Sequence, residues 1–518
     1  MILINSSPKN ILKIFQPFLP IYMPMGVGCL LGVAEKENIP IHFIDEQVEN
    51  DVLGLVDRYV KQMIKPYIFG FSVLTVALKS AISVSRELRR LYPDSIIIFG
   101  GVHPTAMPEE ILSYDHIDIV VRGEAEKILA SLYRYIKEGR DFSVLENISY
   151  KRNGQFMHNK MGLIFEDLDA LPDFPYHFFS SKHYELGVVM SSRGCPYECI
   201  FCSNRVIAGK KYRFRRAEAV VDDLENLYKR YNKRHINFID DNLLVSKDRV
   251  YLLIDEMKKR GLYGKMTFNF QARGDNISYT FLKYLYESGF RSIFLGIETS
   301  SEKIMQTLKK NETVAECIEA VRMAKKIGFH VSTNFIYGLP GETYLDRLNC
   351  VKLSRSLGLD IVRYNNATPY PGTELYEIAK QEKRLYVQGL YENFVSVSTL
   401  IENPFKNIPL SYVPENNTEG QIRRDILFSF FSFYLNAARL KNALKRPYEG
   451  AQWFNGKENL LEILKKISTF LFSSLFLSFK LMQLFYYSVI KKETAVSLSF
   501  FLNVFRRDGK SLNMNEKE

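Results

Sequence analysis

The sequence predicts an α/β protein in three parts: a doubly wound parallel sheet, a partial (β/α)6 barrel and an α-helical carboxyl-terminal region. Residues 1–145 alternate short apolar runs with amphipathic helical segments, the pattern of a parallel sheet covered by helices. Six further strand-helix units follow between residues 187 and 400, which suits an incomplete barrel. Residues 401–518 are helical in pattern and rich in aromatic side chains. A chain of 518 residues exceeds one hydrophobic core, so several domains are expected.

The first part contains five predicted strands separated by helices. The clearest helix covers residues 78–91 and ends before Pro93, which cannot continue a helical hydrogen-bond ladder. Residues 146–186 are predicted to form a hairpin and a linker, because Asn153-Gly154 separates two short extended runs and two prolines follow in 167–175. The predicted strands are 2–4, 41–44, 68–71, 96–99 and 117–121.

In the second part, functional side chains are expected at the carboxyl ends of the strands, where barrels of this type place their sites. Two long helices are predicted in the third part, at 425–440 and 467–490. The predicted strands of the second part are 188–190, 235–239, 267–271, 292–295, 331–336 and 361–365.

Charge and cysteine content restrict the class of protein. The formal charge is +11, but residues 421–518 hold 16 Lys or Arg against 8 Asp or Glu, so 16 − 8 = +8 lies there. No basic stripe interleaved with aromatics flanks the predicted site, which argues against a nucleic-acid partner. Six cysteines are too few and too unevenly spaced for a disulfide framework. The amino terminus lacks a secretion signal, so we expect a cytoplasmic protein.

Three of the six cysteines are clustered directly after the first strand of the second part. Cys195, Cys199 and Cys202 have spacings that allow one compact loop to direct three thiolates at one centre. Thiolates are the ligands of iron-sulfur clusters, and three of them leave one iron of a cubane open. A structural zinc site would require a fourth Cys or His at finger-like spacing, and His183 does not have that spacing.

This segment resembles the radical S-adenosylmethionine (SAM) superfamily, whose signature is Cys-x3-Cys-x-aromatic-Cys, with Phe201 in the aromatic place. The resemblance implies that a [4Fe-4S] cluster binds SAM at its open iron and cleaves it reductively to a 5'-deoxyadenosyl radical. A reducing partner such as ferredoxin or flavodoxin is implied as well. The resemblance covers about residues 187–392.

Later strand ends extend the resemblance. Asp240 or Asp241 stands where many members hold the methionine amine, although the usual Gly-Gly-Glu motif is missing and a solvated turn is the alternative. Arg273 follows the third strand and is suited to a bidentate contact with the methionine carboxylate, with a surface salt bridge as the alternative. By resemblance, Glu298 binds the ribose hydroxyls. The turns that contain Gly338 and Pro340, and Pro371-Gly372, follow the last two strands.

An open doubly wound sheet binds ligands beyond the carboxyl ends of its strands, at the topological switch point. Ser72 and Thr75 follow the third strand, and Gly100 and Gly101 follow the fourth. Hydroxyls there can bond a buried polar ligand, and glycines allow it to approach the backbone.

Most of residues 1–145 are similar to the cobalamin-binding domain that precedes the radical core in one large subfamily. The similarity includes Arg122-Gly-Glu124-Ala-Glu126. A flavodoxin- or Rossmann-like fold without cobalamin is the alternative. The loop after the first strand contains no histidine, so the cobalt of a bound cobalamin is expected to lack a histidine ligand from this domain.

The resemblance implies an enzyme that modifies an unactivated carbon of a small-molecule substrate. The branch includes methyltransferases and the anaerobic porphyrin-ester cyclase, so methyl transfer is favoured and oxidative cyclisation or rearrangement is the alternative. A non-catalytic corrinoid or redox sensor is a third possibility of another class. The aromatic, basic carboxyl-terminal region hints at a lipid, isoprenoid or tetrapyrrole substrate. Residues 467–492 are expected either to rest on a membrane surface or to pack as a buried helix.

Overall fold

The computed structural model describes residues 1–8, 20–162, 165–180, 182–401, 408–434 and 460–490. They belong to two compact units. Unit 1 comprises Met1–Ala272, Glu287–Phe290 and Pro369–Phe394, and unit 2 comprises the described parts of Arg273–Tyr286, Arg291–Thr368 and Val395–Glu518. The sequence boundaries at residues 145, 186 and 400 stay predictions.

The amino-terminal part of unit 1 forms one seven-stranded sheet with helices on both faces. Its elements are β1 (Ile2–Asn5), α1 (Met25–Lys36), β2 (His42–Asp45), α2 (Val52–Val60), β3 (Ile68–Ser72), α3 (Leu78–Leu91), β4 (Ile96–Gly100), α4 (Val102–Ala106), α5 (Pro108–Leu112), β5 (Ile119–Val121), α6 (Leu129–Lys137), β6 (Ile148–Arg152) and β7 (Gln155–His158).

The strand order is β2-β1-β3-β4-β5-β6-β7. Strands β1 to β5 are parallel, and this order is that of flavodoxin-like sheets, with the topological switch point between β1 and β3. The predicted hairpin is present, but β6 pairs antiparallel with β5, so the hairpin extends the sheet. The sequence pattern did not predict this extension.

The continuous apolar strands are explained by burial of both sheet faces. Phe69 and Ile97 point to a core shared with α2 and α3, whereas Ile68 and Ile98 point to a core shared with α1 and α6. This alternation follows from the two-residue period of a strand. The first core also includes Tyr376, Tyr391 and Phe394, which lie far away in the sequence.

The rest of unit 1 contains three parallel strands in the order β12-β11-β8 and a two-stranded antiparallel ribbon, β9-β10. Its elements are β8 (Val188–Val189), β9 (Ser192–Arg193), α7 (Asn204–Ala208), β10 (Arg213–Phe214), α8 (Ala217–Tyr231), β11 (His235–Phe238), α9 (Lys247–Lys259) and β12 (Thr267–Ala272). A further helix of unit 1, Glu374–Gln381, follows the last strand of the chain.

Unit 2 contains three parallel strands in the order β13-β14-β15, followed by helices. The elements from this point are α10 (Tyr279–Glu287), β13 (Phe290–Glu298), α11 (Glu302–Thr307), α12 (Val314–Ile327), β14 (His330–Tyr337), α13 (Tyr344–Ser356), β15 (Ile361–Asn366), α14 (Glu374–Gln381, in unit 1), α15 (Ser398–Ile401), α16 (Glu419–Tyr434) and α17 (Leu460–Phe485). All six predicted strands of the second part are therefore present.

The two predicted carboxyl-terminal helices correspond to α16 and α17, and α17 continues as a π-helical turn, Tyr486–Ile490. One face of α17 is buried, because Leu484 packs against Leu427, Phe428 and Phe431 of the other helices. Residues 435–440 of the first predicted helix, and residues 491–492 of the segment predicted to rest on a membrane or be buried, lie outside the described residues. Of the helices that the structure describes, none combines the length and hydropathy that a membrane span requires.

Candidate functional site

The cysteine loop begins and ends at the β9-β10 ribbon. Gly194 opens it with φ +84°, and an added Cβ there would lie 2.4 Å from the carbonyl oxygen of Lys211, so only glycine fits. Cys195, Cys199 and Cys202 follow, and all three are partly exposed. A turn in which the Cys202 amide donates to the Cys199 carbonyl, at 3.1 Å, brings the last two cysteines close together. Phe201 between them is half-buried.

The three thiols suit a cluster better than a single ion. Within the described residues, no three His, Cys, Asp or Glu side chains are grouped closely enough to hold one metal ion. A cubane takes each thiolate on a different iron, so its ligands are spread more widely than those of a mononuclear site. Partial exposure on a loop leaves the thiols accessible for such a group.

The two aspartates after β11 have different surroundings. Asp240 is buried and accepts hydrogen bonds from the Ser191 hydroxyl at 2.7 Å, the Ser191 amide at 3.3 Å and the Ser192 hydroxyl. These serines directly precede Arg193, so Asp240 supports the start of the cysteine loop. The Arg249 guanidinium lies 3.9 Å from the same carboxylate.

Asp241 has fewer partners. Its carboxylate accepts a hydrogen bond from the Asn204 side chain at 2.5 Å. Burial and the neighbouring charge of Asp240 raise the pKa of Asp241 to about 6. A carboxylate with a raised pKa and spare acceptor capacity is suited to binding a cationic or amine group.

In unit 2, Arg273 lies within a buried network of charged side chains. Its guanidinium donates to both carboxylate oxygens of Asp275, at 3.0 and 2.9 Å, and lies 3.8 Å from Glu312. Arg273 thus does form a salt bridge, but a largely buried one, since its side chain is only 8% exposed. The Glu312 carboxylate also accepts a hydrogen bond from the Gly274 amide.

Glu298 belongs to the same network. It ends β13 at a register shift with φ +65°, a strained backbone position that is typical of functional residues. Its carboxylate accepts a hydrogen bond from the Asn334 side chain at 2.7 Å and lies 3.5 Å from the Lys310 ammonium. Burial raises the pKa of Glu298, although Lys310 and Asn334 oppose this effect.

The sequence reading missed Lys310, Glu312 and Asn334. Lys310 is buried between Glu312, at 2.6 Å, and Glu298. In the sequence the charged residues around it read as an ordinary solvated turn. The one available signal is that this turn follows the strand end that carries Glu298.

The Gly338-Leu-Pro-Gly turn after β14 is stabilised by the buried side chain of Glu342. The Gly338 amide donates to the Glu342 carboxylate at 2.6 Å, and Arg347 lies 3.2 Å from that carboxylate. Burial raises the pKa of Glu342 to about 7, against the effect of Arg347. Gly338 has φ +82°, which favours glycine, and Pro340 is half-buried. These contacts give the turn a fixed shape.

The predicted loops of the doubly wound sheet lie at its carboxyl edge. Ser72 ends β3 and pairs with Gly100 of β4, and the buried Thr75 hydroxyl lies 3.3 Å from Nδ1 of His103. Gly101 has φ +100°, and a Cβ there would lie 2.9 Å from the backbone of Val73. Packing between the two loops is therefore sufficient to explain this glycine.

Two buried polar atoms at this edge fit a ligand that brings hydrogen-bonding groups. The Ser6 hydroxyl after β1 and Nε2 of His103 after β4 lack a hydrogen-bond partner among the described residues. Buried polar atoms are nearly always paired, so the Ser6 hydroxyl invites a partner from outside the chain, whereas Nε2 of His103 lies 4.0 Å from the Glu110 carboxylate. Burial lowers the pKa of His103 to about 4, and its imidazole is neutral at physiological pH.

An open doubly wound sheet is followed by parallel strands, and a three-cysteine loop lies after the first of these strands. Residues 189–353 match the Radical SAM superfamily, and residues 15–133 match the B12 binding domain. The chain therefore combines a B12-binding domain with a radical SAM domain. Its cofactors are accordingly a [4Fe-4S] cluster, SAM and cobalamin.

Two curated relatives have different reactions in their names. The chain is 29% identical over 418 residues to an uncharacterized methyltransferase of Pyrococcus horikoshii, a match that covers 80% of this chain and 88% of the relative. It is 24% identical over 429 residues to the anaerobic magnesium-protoporphyrin IX monomethyl ester cyclase of Cereibacter sphaeroides, which covers 80% of this chain and 67% of the relative.

Solved structures confirm the predicted fold class. The cobalamin-dependent radical enzyme OxsB, with aqua-cobalamin and SAM bound, matches with a TM-score of 0.69 and 18% identity over 97% of this chain and 74% of its own. The radical SAM methyltransferase TsrM of Kitasatospora setae, with cobalamin and a [4Fe-4S] cluster bound, matches with a TM-score of 0.62 and 19% identity over 73% of this chain and 77% of its own.

Proposed function

We propose that this enzyme transfers a methyl group to an unactivated carbon of a small molecule. The observation that carries the proposal is the presence in one chain of a radical SAM domain and a B12-binding domain, together with a match over 88% of the length of an uncharacterized methyltransferase. When bound, the cluster and SAM supply a carbon radical by reductive cleavage, and cobalamin supplies a transferable methyl group.

In this proposal, Cys195, Cys199 and Cys202 ligate the cluster, and Phe201 packs beside it. Arg273 binds the methionine carboxylate, since its guanidinium is already planar, charged and fixed by Asp275. Glu298 accepts hydrogen bonds from the ribose hydroxyls. The turn with Gly338 and Pro340 forms a rigid wall beside the nucleoside, because Glu342 holds its backbone.

Of the two aspartates, we propose Asp241 as the group that contacts the methionine amine. Asp240 uses its lone pairs on Ser191 and Ser192, so its role is to hold the loop. Asp241 retains acceptor capacity and lies at the same strand end.

We expect Asp241→Asn to weaken SAM binding about tenfold, because a hydrogen bond to a charged group contributes about 1.5–3 kcal/mol. Since the pKa of Asp241 is about 6, SAM affinity of the native enzyme should be full above pH 7 and fall as the pH drops through 6. Calorimetric titration of SAM into the cluster-loaded enzyme between pH 5 and 8 measures both effects.

Asp240→Asn is the matched control for this assignment. It should lower the free energy of unfolding by about 1–3 kcal/mol, because a buried acceptor of Ser191 and Ser192 is lost. The pH dependence of SAM binding should persist in this variant with its midpoint at a lower pH, because the charge of Asp240 no longer raises the pKa of Asp241. If Asp241→Asn retains the native pH dependence, Asp241 is not the amine contact.

For cobalamin, we propose that Ser72, Thr75, Gly100 and Gly101 form the binding edge and that Ser6 and His103 supply hydrogen bonds. The Ser6 hydroxyl, which has no hydrogen-bond partner among the described residues, supports this assignment. His103 is buried beside Thr75 and stacks edge-on against Tyr391, with ring centroids 4.8 Å apart, so it is held in place.

The decisive experiment is an anaerobic incubation of the reconstituted enzyme with SAM, cobalamin and a chemical reductant. The chemical reductant replaces the natural reducing partner, which we propose to be a ferredoxin or flavodoxin. Formation of 5'-deoxyadenosine and S-adenosylhomocysteine supports a methyltransferase. Formation of 5'-deoxyadenosine alone, with cobalamin bound, supports the oxidative cyclase alternative. The absence of both products, with both cofactors bound, leaves the non-catalytic corrinoid or redox sensor.

We also propose that the enzyme works in the cytoplasm at the surface of an anionic membrane, with a lipid, isoprenoid or tetrapyrrole substrate. The outer face of α17 supports this proposal, since Leu464, Leu471, Leu475 and Met482 are more than half exposed at helical spacing. The net charge of +8 in residues 421–518 favours anionic lipid. The opposite face is buried and includes Lys480, which donates to the Thr399 carbonyl at 2.7 Å.

We expect the enzyme to co-sediment with vesicles that contain anionic phospholipid and not with purely zwitterionic vesicles. Leu471→Glu/Leu475→Glu should abolish this binding, because two charges are placed on the apolar face. Leu252→Glu is the control, since Leu252 is equally exposed on α9 in the other unit. Equal sedimentation of the native enzyme with and without vesicles would contradict the proposal.

A further inference from the structure

The ribbon that holds the cysteine loop has an unusual charge pattern. In the antiparallel register of β9 and β10, Arg193 lies directly opposite Arg213. Both side chains are buried, with 10% and 1% of their surface exposed. Like charges directly opposite each other destabilise a strand pair, and burial increases the cost. The ribbon therefore requires a source of negative charge.

Two carboxylates from the doubly wound sheet supply it. Glu124 and Glu126 lie in the loop after β5, and each side chain is only 5% exposed. Glu124 accepts a bidentate pair of hydrogen bonds from Arg213, at 2.7 and 2.8 Å, and lies 3.3 Å from Arg193. Glu126 lies 2.7 Å from Arg193. Two buried positive charges are thus balanced by two buried negative charges.

The pKa of Glu124 fits this balance. Burial alone would raise the pKa of this carboxyl, but Arg213 and Arg193 hold it below its usual value. The carboxylate is therefore ionised at physiological pH. The pairing is completed by the backbone of Phe165, whose amide donates to Glu124 and whose carbonyl accepts from Arg213.

A chain of hydrogen bonds connects this cluster to the proposed cobalamin edge. The Thr105 hydroxyl donates to the carbonyl of Gly101 at 2.7 Å and accepts from the amide of Gly123 at 2.9 Å. Gly123 directly precedes Glu124. The loop that carries Gly101 and the loop that carries the cysteines are therefore joined through Thr105, Glu124 and the two arginines.

We propose that Glu124, Glu126, Arg193 and Arg213 form a charge latch that fixes the cysteine loop to the cobalamin-binding sheet. These are positioning residues: they contact neither substrate nor cofactor, and they set the distance between the cluster and the corrin. The inference rests on the proposed function, since it requires both groups to be bound by the loops named above.

The test uses the full-length enzyme loaded with the cluster and with cob(II)alamin. When the cluster is reduced, both centres are paramagnetic, so pulsed electron paramagnetic resonance reports their separation. We expect one narrow distance distribution in the native enzyme and a broadened one in Glu124→Gln. Formation of S-adenosylhomocysteine should slow about tenfold, because methyl transfer from SAM to the corrin depends on this distance and a misplacement of about 1 Å costs up to about 100-fold in rate.

Glu166→Gln is the matched control, because Glu166 pairs with Lys211 of the same loop at 2.7 Å with both side chains about half exposed. This variant should retain the native distance distribution and rate. The double variant Glu124→Gln/Arg213→Met removes both partners and should recover stability relative to Glu124→Gln, since no uncompensated buried charge is left at that pair. Its distance distribution should stay broad.

A native distance distribution in both Glu124→Gln and the double variant would overturn the latch. Failure of the proposed function is distinguishable from this result. In that case, the native enzyme itself would form no S-adenosylhomocysteine, whatever its distance distribution.

Discussion

Cys199→Ala is expected to abolish SAM cleavage completely. The variant should bind less than one cluster per chain after anaerobic reconstitution. In the native protein three thiolates ligate three of the four irons, and the two thiolates that remain are too few to hold the cluster. No 5'-deoxyadenosine should form with SAM and reductant. Iron and sulfide analysis, the visible absorption of the cluster and product chromatography are the measurements. Cys195→Ala and Cys202→Ala should behave in the same way.

Cys350→Ala is the control for these variants. Cys350 is buried and its thiol lies 3.4 Å from the Ser300 hydroxyl, outside the cysteine loop. The substitution should reduce stability by about 1 kcal/mol through the small cavity and leave cluster content unchanged. Full SAM cleavage by Cys199→Ala would show that this cysteine is not a ligand.

Lys310→Met is expected to have the largest effect on stability. Removal of the ammonium leaves Glu298 and Glu312 buried together without a counter-charge, and breaking a buried ion pair costs about 3–5 kcal/mol. Burial raises the pKa of Glu298 and Lys310 opposes this effect, so without Lys310 the pKa should rise further and a smaller fraction of the carboxyl should be ionised. We therefore expect SAM binding to weaken about tenfold, which is about 1.4 kcal/mol.

Denaturant unfolding and calorimetric titration of SAM measure these two effects of Lys310→Met. Lys303→Met is the matched control, since Lys303 is exposed on α11 a short distance before Lys310 in the sequence. It should change the free energy of unfolding by less than about 0.5 kcal/mol. Similar stability of the two variants would mean that Lys310 does not balance the two glutamates.

The sequence predicted the cysteine loop and the strand ends because these signals are local. Three thiols at fixed spacing, and polar residues directly after apolar runs, require only the period of a strand and the geometry of one loop. For the same reason Arg273 and Glu298 could be assigned to successive strand ends. Their positions in unit 2 agree with that assignment, and their specific contacts with SAM stay predictions.

Contacts between distant residues could not be predicted from the sequence. Arg213 and Glu124 are 89 residues apart, and no local pattern shows that a buried arginine pair needs carboxylates from another sheet. Lys310 is part of a charged run that normally lies in solvent, and only the fold shows that it is buried. The choice between Asp240 and Asp241 likewise depends on Ser191 and Ser192, which lie on a different strand.

The return of residues 369–394 to the first core has a consequence for biosynthesis. Tyr391 donates to Glu110 across 281 positions of the chain, and Tyr376 and Phe394 fill the same core as Val56. A ribosome makes these residues long after β1 to β5 have emerged, so the nascent sheet remains with part of one face uncovered until then. Until residues 369–394 have been synthesised, the nascent amino-terminal sheet thus exposes an apolar surface to which a chaperone can bind.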